Sequence, residues 1–111
     1  MAHFTPYAHD AYIVIFEDAA GDMFANETHF PGADRAKFVA DLWAGHYDTA
    51  TIDTILRMNI AAGTVVNVTE EIAQAVADLS FIKRDRPADE AKALCDRLNV
   101  ACFESFDAEA A

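Results

Sequence analysis

The stretch Phe16 to Asp22, FEDAAGD, gathers three carboxylates, Glu17, Asp18 and Asp22, around a single glycine. Carboxylates grouped this way can ligate a hard cation, offer negative charge to a partner, or accept backbone N–H groups in a turn. A calcium loop sets its oxygen ligands at alternating positions and closes on a bidentate glutamate. Here two acids are adjacent, two alanines follow, and no closing glutamate is present. The turn is therefore the first expectation and the display of charge the second.

The other chemistry-bearing residues are sparse. The histidines are His3, His9, His29 and His46. Zinc sites commonly use ligands at short spacing, such as two histidines one helical turn apart, and no pair here has that relation. No metal ligand set and no cofactor is assigned from the sequence. Cys95 falls on the apolar stripe of a predicted helix, where a thiol behaves as a small hydrophobe, and Cys102 lies in a similar apolar run; neither has an activating signature. Both are expected to be reduced, since a secreted domain of this size that needed disulfides would usually carry more cysteines. The four glycines, Gly21, Gly32, Gly45 and Gly63, are far apart, so no phosphate-cradling loop is present. The balance leans away from an enzyme.

Charge is the strongest signal. The 111 residues carry 19 acids against 8 lysines and arginines, a formal net charge of -11. Asp10, Glu17, Asp18, Asp22, Glu27 and Asp34 all precede the first basic residue, Arg35, while most cations come late, as Lys83, Arg84, Arg86, Lys92 and Arg97. Such a field repels nucleic acid and anionic membrane and favours basic protein surfaces. The expected contact set is Glu17, Asp18, Asp22, Glu27, Asp41, Asp48 and Asp53, with Trp43 and Tyr47 as aromatic anchors. Trp43 also sits at helical spacing from Phe38 and Val39, which is the pattern of a core residue. The basic run Lys83-Arg84-Asp85-Arg86 is expected to join two helices and to pair with acids of the negative half.

In composition the chain resembles small bacterial and phage proteins, among them inhibitors that imitate the charge of nucleic acid. That resemblance implies a non-enzymatic interaction module, an inhibitor that occupies a basic, nucleic-acid-binding surface by charge mimicry. The alternatives are a small-ligand or metal-binding domain built on His29 or His46 with carboxylates, and a self-associating structural protein that forms a homodimer through its second strand. A plain solubility coat accounts for the same charge.

These residues must be positioned by a fold. An apolar fraction of 53% is too high for a disordered chain. The length fits one compact domain over residues 1–111, with frayed ends at about 1–9 and 107–111. No run of about 20 apolar residues is present to span a bilayer, and the opening MAHFTPYAHD lacks the features of a secretory signal, so a cytoplasmic setting is expected.

Tyr12 to Phe16 and Met23 to Phe30, separated by the acidic turn, read as a hairpin whose first strand lies inside a sheet and whose second lies at an edge. A helix is predicted from Ala33 to Ala44, stopped by Gly45. From Ile52 to Ile60 apolar and polar residues alternate, and Ala61-Ala62-Gly63 turns the chain into TVVNV as a second hairpin. Thr69 is expected to cap a helix reaching Lys83, with Ile72, Val76, Leu79 and Ile82 on one stripe. A further helix starts near Pro87 and ends at a left-handed Asn99, and residues 100–106 read as a last short strand. The fold class that follows is α+β: a four- or five-stranded antiparallel sheet built from two β-hairpins, with about three helices against one face.

Overall fold

The computed structural model describes residues 10–27, 35–59 and 61–104. Tyr12, Val14 and Phe16 alternate with Ile13 and Ile15, so a strand here buries its first set against a core and leaves the second half-buried on the opposite face. This strand, β1 (Asp10–Glu17), is flanked by β2 (Met23–Glu27) and β3 (Thr51–Asn59), both antiparallel to it, and β4 (Thr64–Asn67) pairs outside β3. The sheet order is β2-β1-β3-β4. As expected, β1 is interior and β2 is an edge. Because β2 and β3 run parallel on either side of β1, the connection between them spans the central strand.

That connection contains α1 (Arg35–Ala44). The two residues by which the predicted helix starts earlier lie outside the described residues, as does the predicted end of the second strand, residues 28–30. Phe38, Val39 and Leu42 turn inward, and Gly45 ends the helix at φ 93°, a conformation that L side chains rarely adopt. Phe38 stacks flat on Tyr12, with ring centroids 4.3 Å apart. The fold is thus α+β, with three helices packed against a four-stranded antiparallel sheet.

Strict alternation does not hold in β3. Ile15 faces Thr54 while Phe16 faces Ile52, so Asp53 is the extra residue of a β-bulge. The bulge shifts the pleat by one position and lets Ile52 and Ile55 both enter the core, whereas Thr54, Leu56 and Met58 are half-buried. The simple pattern had grouped Ile52 with Thr54, Leu56 and Met58.

Thr69 does not cap the next helix either. It is the first residue of α2 (Thr69–Lys83), and its Oγ accepts the Ile55 N–H at 2.9 Å and lies 2.6 Å from Asn67 Oδ1. Asn67 Oδ1 in turn accepts the Thr69 N–H at 3.0 Å. Ile72 and Val76 are buried and Leu79 is half-buried, but Ile82 has rotated off the stripe and is 78% exposed.

Helix α3 (Asp89–Arg97) begins two residues after the buried Pro87. Ala88 supplies no side-chain cap, and Asp48 Oδ1 instead accepts the Glu90 N–H at 2.9 Å. Asn99, at φ 59°, closes the helix as expected. The predicted fifth strand is corrected over the described residues 100–104, which form no regular element. Val100 and Cys102 pack against the core, and Phe103 donates its N–H to Ser80 Oγ of α2 at 2.9 Å rather than to a strand. No helix among the described residues is long and apolar enough to cross a membrane.

Candidate interaction surface

The register brings several acidic positions to one end of the sheet. Glu17, the last residue of β1, lies opposite Met23 at the start of β2 and opposite Thr51 at the start of β3. The β1–β2 turn, the α1–β3 loop and the bulge at Asp53 therefore share that end. The start of α3 joins them through the Asp48 to Glu90 bond.

Within the turn, the Asp18 carboxylate accepts the N–H groups of Ala20 and Asp22, each at 2.9 Å. Its backbone adds a bond from Asp18 N–H to Asp22 O at 2.9 Å, and Gly21 occupies φ 87°. The stretch is a turn as expected, but its side-chain acceptor is Asp18 and not Asp22, the acid beside Gly21 on which the expectation fell. Glu17 and Asp22 are exposed, and their side chains take no part in those bonds. Next to them on the sheet edge, Met23 is 52% and Phe24 42% exposed, although the Phe24 ring stacks on Phe16 at 5.2 Å. An acidic tip thus adjoins two large apolar side chains.

The remaining predicted residues are more dispersed. Glu27 ends β2 opposite Ile13. Asp41 on α1 pairs with Lys37 at 3.0 Å and with His46 Nδ1 at 3.5 Å. Trp43 is half-buried against the core, donates Nε1–H to Asp85 O at 3.3 Å, and carries the Lys83 ammonium 5.1 Å above its ring. Tyr47 packs edge-on against Phe38, and burial, reinforced by Asp41, pushes its hydroxyl pKa up. Asp48 is committed to α3. The acids are divided among the tip, the end of β2, helix α1, the loop that follows it and the bulge.

At the bulge, Asp53 does gather with residues that the sequence had not marked as a site. A cleft of about 370 Å³ is lined by Asp53, Thr54, Asn67, Glu70, Glu71 and Arg97. Arg97 donates to the carbonyls of Ile52 at 2.9 Å and Asp53 at 2.7 Å, clamping the bulged backbone from α3. In the sequence Glu70 and Glu71 carry only the signature of acids at a helix start. Their meeting with Asp53 depends on the bulge, which local pattern does not reveal.

The basic run joins α2 to α3. Arg86 pairs with Asp89 at 3.1 Å and Lys83 lies on Trp43, in place of the expected pairing with acids of the negative half. Both cysteines are free. Burial, then the neighbouring Cys102 thiol, pushes the Cys95 pKa up to about 12, which keeps it protonated. His46 is exposed, and His3, His9 and His29 lie outside the described residues. Among the described residues no group of three or more His, Cys, Asp and Glu is arranged to hold a metal ion.

No protein-family model, curated protein or solved structure matches this chain.

Proposed function

We propose that this chain is a non-enzymatic interaction module that meets a basic protein surface with the acidic end of its sheet. The observation that carries this reading is the adjacency of Glu17, Asp18 and Asp22 to the exposed Met23 and Phe24, in a chain whose first cation is Arg35. Apolar side chains supply binding free energy when a partner desolvates them, while surrounding carboxylates steer and orient a cationic partner. A nucleic-acid-binding protein offers such a surface, and the chain would act as an inhibitor by standing where phosphates stand. The mimicry is local to the tip, since Asp41 and Asp48 are engaged within the chain. A cytoplasmic encounter fits two free thiols.

The test is affinity capture from lysate across a salt series, with the unaltered chain beside a Glu17→Lys/Asp22→Lys variant. These side chains are outside the turn's hydrogen bonds, so the reversal leaves the hairpin intact. A partner held at low salt, released at high salt, displaced by duplex DNA and missed by the variant is the expected result. Equal capture by the variant sinks the reading.

A further inference from the structure

We infer that Cys95 and Cys102 are a redox modification site: on meeting a peroxide they close a reversible intramolecular disulfide that ties residues 100–104 to α3. The fold brings the two positions together. Asn99, at φ 59°, turns the chain back at the end of α3, and Val100 donates its N–H to Cys95 O at 2.8 Å. The segment then returns along the helix, since Glu104 reaches Lys92 Nζ at 2.9 Å. Phe103 donates its N–H to Ser80 Oγ of α2 at 2.9 Å, and the Cys95 thiol donates to Ala73 O of that same helix at 3.4 Å. Cys102 packs against the core to which Cys95 belongs, with its thiol within hydrogen-bonding reach of Cys95. Both thiols are free, so this is the reduced form of the pair.

The two sulfurs differ in what can reach them. Cys95 is fully buried, while Cys102 is half-buried. The oxidant therefore meets Cys102 first. Its sulfur, as the thiolate, attacks one peroxide oxygen: an S–O bond forms, the O–O bond breaks, and the departing hydroxide takes up the proton the thiol released, giving water. The Cys95 sulfur then attacks the sulfur of the Cys102 sulfenic acid. The S–S bond forms, the S–O bond breaks, and the oxygen leaves with the Cys95 proton as a second water. Two electrons pass from the thiol pair to the peroxide. Burial keeps Cys95 protonated beforehand, but two further causes of its raised pKa, the hydrogen bond and the charge of the Cys102 thiol, end once Cys102 is oxidised. Proximity favours the second step as well, because the fold already holds the sulfurs together. The thiol hydrogen bond given up is long, and Ala73 O keeps its place in the α2 ladder.

Hydrogen peroxide added to the folded full chain, followed by alkylation in denaturant and mass spectrometry, tests the pair. The expected product has lost about 2 Da, with both thiols protected from alkylation together and both restored by dithiothreitol. Closing so short a loop should also raise the thermal midpoint by about 5 °C. In Cys95→Ala the oxidation should stop at a Cys102 sulfenic acid that glutathione can cap, and in Cys102→Ser the buried Cys95 should remain a thiol. A measurement on the unaltered chain guards against a variant that fails to fold. In a glutathione redox buffer the effective concentration of the pair should be at least about 10-fold higher in the native chain than in urea, because only the fold holds the sulfurs together. A sulfinic acid gathering on Cys102 while Cys95 stays a thiol overturns the inference. So do a disulfide between two chains, survival of both thiols, or an effective concentration no higher in the native chain than in urea. None of these arms touches the β1–β2 tip, so this inference and the partner-binding reading can fail separately.

Discussion

The two hairpin turns solve one backbone problem, the first with a charged acceptor and the second with a neutral one. At β1–β2, the Asp18 carboxylate accepts N–H groups from Ala20 and Asp22 while Gly21 takes φ 87°. At β3–β4, the Asn59 amide oxygen accepts the Ala62 N–H at 2.8 Å while Gly63 takes φ 67°. A Cβ on either glycine would meet open space, so the sign of φ alone demands glycine. The first turn nevertheless carries Glu17, Asp18 and Asp22, and the second carries Ala61 and Ala62. Turn formation in this molecule does not require charge. The acids of the first tip therefore exceed what the fold asks of them, which is the argument for a role outside it.

The hairpins also differ in how they are rooted, and this gives the largest expected effect. Phe16 at the end of β1 is fully buried, whereas Val65 and Val66 of β4 are about half exposed. Phe16→Ala should cost about 3–5 kcal/mol by removing buried surface and leaving a cavity. Val66→Ala should stay within about 0.5 kcal/mol. Urea unfolding of both variants measures the contrast. Similar costs would mean that β4 is covered in solution, and the comparison would break there.

If β4 contributes little by burial, something else must hold the second hairpin, and Thr69 does so. Beyond Asn67 the strand has ended, yet β3 still presents the N–H and C=O of Ile55. Val68 N–H donates to Ile55 O at 2.9 Å and Thr69 Oγ accepts from Ile55 N–H, so the start of α2 continues the ladder that β4 leaves. Thr69→Val keeps the volume, removes the acceptor and should cost about 1–3 kcal/mol, because a buried N–H is left without a partner. Hydrogen exchange at the Ile55 amide should quicken in the variant, since the bond that protects it is gone. An unchanged exchange rate would move the anchor of the hairpin elsewhere.

These contacts explain which features were legible. The apolar run around Val14 that marks an interior strand, the glycine at position 45 and the left-handed Asn99 are local properties, and each appears in the sequence as a residue type at its position. The bulge at Asp53, the diversion of Thr69 from cap to ladder and the capping of α3 by Asp48 join residues 14 to 45 positions apart. No local signature marks them. The same holds for the candidate site. The tip acids were visible because they lie close together in one short stretch around Gly21, whereas Glu70, Glu71 and Arg97 reach Asp53 only through the folded register. Ile82 was misplaced on the core stripe because the buried face of α2 runs through Ile72, Ala73, Val76, Ala77 and Ser80, and at 3.6 residues per turn Ile82 falls on the other side of Ile72 from Ala73, Ala77 and Ser80.

The sharpest use of the comparison exchanges the two turn acceptors, with the smallest effects on stability. An asparagine at position 18 retains the acceptor oxygen and loses the charge, so Asp18→Asn should change stability by only a few tenths of a kcal/mol. Asp18→Ala should cost about 1 kcal/mol, and Asn59→Ala a similar amount, through loss of side-chain acceptors for turn amides. Asn59→Asp should be near neutral and places a carboxylate at the opposite end of the sheet. Salt-dependent capture then separates charge from shape. Asp18→Asn should weaken the partner while leaving unfolding unchanged, and Asn59→Asp should leave the partner unaffected, because a charge added at the wrong end lies beyond the screening length of the contact. If Asp18→Asn destabilises as much as Asp18→Ala, the carboxylate charge itself holds the turn, and the surplus of acid at the tip has a structural cause after all.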